Sequence, residues 1–124
     1  MKITNIDDES LIFDDRSMLF TVHEQDCCES HYLDFSVMKM YNINKYGRPL
    51  NIYEQEFDFS EGVPFKKVED IGIILFDTDE NRYLICGYGY NNGYYGTAID
   101  LRYCDEDGNI IYRYDVTECQ EIQE

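Results

Sequence analysis

Short apolar stretches with alternating or β-branched character, separated by polar turn residues, run along this chain and predict strands with little helix. Ser10 to Phe13 and Met18 to Glu24 read as two strands around the turn Asp14-Asp15-Arg16-Ser17. His31 to Phe35 reads as a third, Ser36 to Tyr41 as a short helical turn, and Asn42 to Pro49 as a loop. Leu50 to Phe59 alternates in part and is expected to form an irregular edge strand, broken by Glu61-Gly62-Val63-Pro64. Ile71 to Phe76 is a β-branched run ended by the polar turn Asp77 to Asn81. Tyr83 to Tyr90 and Tyr94 to Tyr103 flank Asn92-Gly93, whose tolerance of positive φ makes it the strongest local hairpin signal. Asp107-Gly108 marks a second tight turn before Ile110 to Val116. The expected fold is mainly β: an antiparallel meander forming a small sandwich or half-open barrel, with at most one or two short helices.

Two-residue turns fix register, and register fixes faces. A turn at Asn92-Gly93 sets Tyr90 opposite Tyr95, Tyr88 opposite Thr97, Cys86 opposite Ile99 and Leu84 opposite Leu101, which makes an apolar face. A turn at Asp107-Gly108 continues it with Leu101 opposite Tyr114 and Tyr103 opposite Tyr112. The reverse face then carries Asp100, Arg102, Arg113 and Asp115, with opposite charges on the diagonals, as suits a solvated surface. Towards the Asn-Gly tip that reverse face is nearly bare, with Gly87, Gly89, Gly96 and Ala98. Glycine inside strands marks close approach of a ligand or of another backbone. One reading is a docking groove floored by these glycines and walled by Tyr83 and Tyr94. The simpler reading, internal packing against the 42–49 loop or a strongly bent hairpin, is preferred.

The chain has 124 residues, which suits one domain spanning 1–124. Hydrophobic residues make up 44% and aromatics 15%, enough for a core without metal or disulfide staples and too much for a disordered chain. Charge changes the picture more. Twenty-six acids against ten bases give a formal −16, spread along the whole length. Unpaired charge is costly to bury, so the surface must be acidic. Free nucleic acid and anionic membrane are therefore poor partners, whereas a protein with a basic surface is a suitable one; solubility alone is the plainer explanation. No apolar run approaches the roughly 20 residues that span a bilayer, and no charged-then-apolar leader is visible. Cys27, Cys28, Cys86, Cys104 and Cys119 are an odd set with two adjacent members, a poor disulfide framework that fits reduced thiols in the cytoplasm.

The densest polar cluster is His23-Glu24-Gln25-Asp26-Cys27-Cys28-Glu29-Ser30-His31. His23 and Cys27 are four apart and Cys28 and His31 three apart, spacings that can place two zinc ligands on one side of a turn. A thiol–imidazole pair for nucleophilic catalysis has the right residue types, but the surrounding acids raise a thiol pKa. The preferred reading is structural: one cysteine packs inward as a small apolar residue, and Asp26 and Glu29 hold the turn. No cofactor is expected, and metal is held to the weak candidates His23, Cys27, Cys28 and His31. Asp7-Asp8 and Asp14-Asp15 read as solvated turn acids, and Asp105-Glu106-Asp107-Gly108-Asn109 lacks the closing glutamate of a calcium loop. There is no Gly-rich phosphate loop before a helix, no Gly-x-Ser-x-Gly and no His-Glu-x-x-His.

Two segments carry a resemblance: His23 to Glu29, and Tyr88-Gly89-Tyr90-Asn91-Asn92-Gly93-Tyr94-Tyr95 followed by Ile99-Asp100. Together they resemble a small domain of unknown function found in bacteriophages and in bacteria that carry mobile elements. Many of its members have a tryptophan before the Asn-Gly turn, where this chain has Tyr88. Ser36 to Lys67 has no match to it. The resemblance brings no catalytic residues. It implies a setting in which small acidic proteins bind host proteins, some of them by occupying the basic channel of a nuclease. The expected function is therefore a non-enzymatic protein-binding domain of a phage or mobile element, with inhibition of a host defence protein as one form. It would act in the bacterial cytoplasm, with Gly87, Gly89, Gly96, Tyr83, Tyr90, Tyr94 and Tyr95 as its contact residues. Eight of the twelve tyrosines lie between Tyr83 and Tyr114, and tyrosine is enriched at binding hot spots. The alternatives are a small-ligand or zinc-binding domain on the His23-to-His31 block, and a structural or homo-oligomeric protein.

Overall fold

Acidic side chains turn this chain as well as charge it. Asp15 Oδ1 accepts the Ser17 N–H at 3.0 Å while Arg16 takes a φ of 67°, which reverses the chain between β2 (Ser10–Phe13) and β3 (Met18–Val22). Asp77 does the same between β6 (Gly72–Phe76) and β7 (Arg82–Tyr90), accepting the backbone N–H groups of Asp79 and Asn81. Asp105 accepts those of Asp107 and Asn109 between β8 (Asp100–Cys104) and β9 (Ile110–Asp115). In each case a carboxylate replaces the backbone acceptor that a bare turn would leave to water.

The computed structural model describes residues 1–23, 30–40, 42–90 and 98–123. It is mainly β, in two sheets. The first has the order β1-β2-β3-β8-β9, with β1 at Ile3–Ile6, and is antiparallel throughout. The second is built on β7, which is long enough for three partners. β6 lies beside its first half; β4 (Ser30–Asp34) and β10 (Glu121–Gln123) lie beside its second. β5 (Phe65–Val68) adds to β6, and only β10 runs parallel to its neighbour. Two short 3-10 turns, Phe35–Lys39 and Ile52–Glu54, are the helical content among the described residues. Both sheets bury one face in a common core: Leu11, Phe13, Leu19, Leu101 and Tyr103 from the first, and Leu33, Ile73, Leu75, Tyr83 and Ile85 from the second. Phe65 of β5 meets Tyr114 of β9 edge-on at 4.9 Å and links the sheets along one side.

The Asp-Gly hairpin has the expected register: Asp100 opposite Asp115, Leu101 opposite Tyr114, Arg102 opposite Arg113 and Tyr103 opposite Tyr112. Its loop is one residue longer than expected. Asp105 N–H bonds Asn109 O at 3.0 Å and Gly108 has φ 83°, a three-residue loop whose extra residue is absorbed by a bulge after Tyr103. Asp100 Oδ2 lies 3.8 Å from its diagonal neighbour Arg113 and 3.1 Å from Arg102, two residues along the same strand.

The Asn-Gly hairpin is corrected. Asn92-Gly93 lies outside the described residues, but the strands on either side are not partners. Leu84 sits opposite Ile74 rather than Leu101, and Cys86 opposite Gly72 and Asp34 rather than Ile99. Leu101 pairs instead with Thr21 and Tyr114. A turn dipeptide reports only the backbone of its own loop. Here each strand finds apolar partners on both of its edges in a different sheet, and two filled edges outweigh one favourable turn. The parity of β7 reverses with it: Tyr83, Ile85, Gly87 and Gly89 are buried, and Leu84 is 47% exposed. Leu50 to Phe59 is not a strand either. Phe57 and Phe59 are buried and Glu56 and Asp58 exposed, but the segment makes no ladder; its rings cap the core beside Phe13 and Tyr103. β1, β5 and β10 are additions to the expected elements, each only three or four residues long.

Inward parity on β7 makes neighbouring positions unequal. Ile85→Ala is expected to cost about 2–5 kcal/mol in urea unfolding, whereas Leu84→Ala should stay within about 0.5 kcal/mol. The Asn-Gly pairing would give the reverse order.

Candidate functional site

β7 has one face against the core and one turned outward. On the inside, the glycine strip is filled by the chain itself. A side chain at Gly87 would run into the Cys119 carbonyl, and one at Gly89 into Gln120, Ile122 and the His31 ring. The strip therefore exists so that the segment leading into β10 can cross it, not the 42–49 loop. Tyr83 does not wall a groove. It is buried, and its hydroxyl donates to Asp77 Oδ2 at 2.6 Å. Burial first, and then this bond to a carboxylate, push its phenol pKa well above the ordinary value. Of the expected contact residues only Tyr90 stands at the surface, 58% exposed; Tyr94, Tyr95 and Gly96 lie outside the described residues.

The opposite face of the second sheet is open. Registers place Tyr32, Ile74, Leu84, Cys86, Tyr88 and Tyr90 on it, with the Tyr32 and Tyr88 rings 5.9 Å apart. Phe76 and Arg82 extend it, the guanidinium 5.9 Å from the ring. Asp34 is the one carboxylate among these outward positions of β4, β6 and β7. Glu121 of β10, opposite Tyr88, is a second acid on this face, so two of the chain's 26 acids stand on it. Both phenols keep their protons and remain donors at neutral pH. Tyr32 is raised by burial and then by Asp34, Glu9 and Asp8; Tyr88 is raised by Cys86 and then by burial. The sequence reading set the glycines Gly87 and Gly89 on an open face, and the structure buries them, because the assumed hairpin tied the parity of β7 to β8.

The second feature joins the sheets at the end of β3 and the start of β4. His23 and His31 bring their rings to 4.4 Å, at an interplanar angle of 63°. His23 Nδ1 lies 2.7 Å from the Ala98 carbonyl oxygen, and His31 Nδ1 lies 2.7 Å from Gln120 Oε1. Gln120 Nε2 donates to Thr117 O at 2.8 Å, which fixes the amide so that its oxygen faces His31. Both partners are then acceptors, so each ring donates from Nδ1. His23 Nε2 is buried and has no hydrogen-bond partner among the described residues, a state that costs about 1–3 kcal/mol. Glu9, Thr21 and Val22 line a cleft of about 260 Å³ with the two rings. Cys27 and Cys28 lie outside the described residues.

The remaining candidates have local duties. Cys104 and Cys119 are buried, and burial pushes both thiols up, away from nucleophilic use. Asp105 is held low by the hydrogen bonds it accepts from the Asn109 backbone and side chain, which close the turn. Among the described residues no three His, Cys, Asp or Glu side chains form a metal-binding group, and no helix is long and apolar enough to cross a membrane. The family model of a domain of unknown function, DUF7448, matches residues 1–101, which ends within β8 and leaves out the segment that fills the glycine strip. No curated protein and no solved structure matches the chain.

Gly87→Ala is expected to cost about 1–3 kcal/mol in urea unfolding, and more than Gly89→Ala, because it meets a backbone carbonyl where Gly89 meets movable side-chain ends. Tyr83→Phe should cost about 1.5–3 kcal/mol by leaving Asp77 short of a donor. In the wild type, folded Tyr83 keeps its proton above the pH, near 10, where the unfolded phenol loses it, so stability should fall as pH rises past about 10. That alkaline loss should be smaller in Tyr83→Phe when unfolding is followed from pH 8 to 11.

Proposed function

The chain belongs to the DUF7448 family of domains of unknown function, and on that premise we propose that it is a non-enzymatic protein-binding domain of a phage or mobile element. It docks on a host protein through the outer face of the second sheet. The observation that carries this reading is the tyrosine-rich, acid-poor character of that face: Tyr32, Ile74, Leu84, Tyr88 and Tyr90 beside two acids, Asp34 and Glu121, in a chain of formal charge −16.

The chemistry of the partner follows. Tyrosine anchors supply large, semi-polar contact area at low entropic cost, as hot spots do. The acids lie around and behind them, on turns such as Asp7-Asp8, Asp14-Asp15, Asp79-Glu80 and Glu106-Asp107, whose residues are all exposed. A partner with an apolar centre and a basic rim is attracted from about a Debye length and then held by contact. A second copy of this chain would bring a like charge of −16 and is disfavoured. Basic surfaces with such centres are those of nucleic-acid-handling proteins, including the nucleases of bacterial defence, which this domain would inhibit by covering them in the host cytoplasm.

The immobilised wild type and a Tyr88→Ala/Tyr90→Ala variant, exposed to the same bacterial lysate at low salt, separate the possibilities. The wild type should retain basic proteins that elute as salt rises past about 0.3 M and that the variant fails to capture. Equal capture by the variant would place binding elsewhere. Absence of any salt-sensitive partner at low ionic strength would contradict the reading.

A further inference from the structure

The loop from Asn42 to Leu50 departs from the charge of the rest of the chain. Residues 35–53 hold no Asp or Glu and carry Lys39, Lys45 and Arg48, three of the ten basic residues in a chain of formal charge −16. We propose that the tip of this loop, Lys45, Tyr46 and Arg48, docks a short acidic segment of a partner protein. The proposal rests on other residues than the docking face and on charge of the opposite sign, so either can hold without the other.

The tip is firmly built. Asn44 Oδ1 accepts the backbone N–H groups of Tyr46 at 2.9 Å and Arg48 at 3.0 Å. Gly47, at φ 77°, donates its N–H to the Asn44 carbonyl at 2.9 Å. Below the tip, Ile43 sits opposite Pro49, and the Leu50 N–H donates to the Asn42 carbonyl at 3.1 Å. The Lys45 N–H donates to Asn81 Oδ1 at 3.2 Å and ties the loop to the turn between β6 and β7. A surface held in this way gives up little freedom on binding, which favours affinity from few contacts.

What the tip presents is the second observation. Tyr46 is 76% exposed, more than any other large apolar side chain among the described residues, and Ile43 is exposed beside it. Lys45 Nζ lies 5.6 Å from the centre of the Tyr46 ring, so cation and ring form one surface. A cleft of about 360 Å³ opens next to them, walled in part by Leu50 and Gln55. Asp79 lines it too, and its carbonyl oxygen accepts from Lys45 Nζ at 3.4 Å. No carboxylate among the described residues forms an ion pair with Lys45 or Arg48. A loop that served solubility alone would carry acids, as the exposed turns at Asp7-Asp8, Asp14-Asp15 and Glu106-Asp107 do.

Charge complementarity selects the occupant. Two cations beside an exposed ring and a small cleft suit carboxylates that flank an apolar side chain, with the apolar group against Tyr46 and Leu50. Screening sets its length. At physiological salt the Debye length is about 8 Å, so a segment of a few residues feels chiefly the tip. A long polyanion such as nucleic acid would run out over the surrounding acids and be repelled.

Isotope-labelled full-length protein can be titrated with the peptide acetyl-Glu-Asp-Leu-Phe-Asp-Glu-amide at about 0.1 M salt and followed by NMR. Backbone signals of Lys45, Tyr46, Gly47 and Arg48 should shift and saturate. Lys45→Glu/Arg48→Glu should weaken binding at least about tenfold, and Tyr46→Ala at least about threefold. These side chains are exposed, and unchanged signals from the core strands will confirm the fold of each variant. Tyr88→Ala/Tyr90→Ala should bind the peptide as the wild type does, which separates this result from the fate of the docking face. Shifts centred elsewhere, no saturable shift, or unchanged affinity in the charge-reversed variant would overturn the proposal. So would equal affinity for a thymidine oligonucleotide of the same charge, which would make the tip a phosphate site.

Discussion

Which way β7 faces decides most of this molecule. The strand places Tyr83 and Ile85 against Leu75 and Ile73 inside, and the same alternation makes Gly87 and Gly89 the floor that Cys119 to Ile122 cross. Fully burying one such aliphatic side chain is worth about 1.5–3 kcal/mol, and a shift by one residue would forfeit several at once while setting glycines in solvent. One periodicity therefore fixes the core, the attachment of β10 and the identity of the exposed face.

That exposed face and the acidic turns divide the work between them. Turn carboxylates serve first as local acceptors: Asp15, Asp77 and Asp105 each hold the backbone of a reversal. Their surplus charge is then free to repel like-charged neighbours and attract basic ones over a Debye length. Tyr32, Tyr88 and Tyr90, beside two acids, Asp34 and Glu121, supply what charge alone lacks, a contact surface with shape. At the same end of the β4–β7 pair, but on its inward side, His31 meets His23, which follows β3 of the first sheet.

Much of the fold was legible from local pattern. The β-rich class, the strands at Ser10–Phe13 and Gly72–Phe76, and the whole register of β8 with β9 follow from alternation and turn residues. What failed was long-range. The Asn-Gly dipeptide argues for joining its two flanking strands, and nothing local reveals that β6 and β4 compete for one of them and β3 for the other. Phe57 and Phe59 show the same limit: their alternation is that of a strand, yet they cap a core without a ladder. For the candidate site, tyrosine enrichment drew attention to Tyr83 to Tyr90, but parity inherited from the wrong partner selected the side of β7 that the structure buries. The convergence of His23 with His31 had no signal beyond their closeness in sequence, because their contact depends on how two sheets meet.

Cross-strand proton contacts in solution, measured by NMR on uniformly labelled protein, test the central claim most directly. Contacts of Leu84 with Ile74 and of Tyr88 with Tyr32 are expected, with Leu101 touching Thr21 and Tyr114. Contacts of Leu84 with Leu101 and of Cys86 with Ile99 would mean that β7 and β8 form one hairpin, and both the inward face and the docking face described above would be wrong.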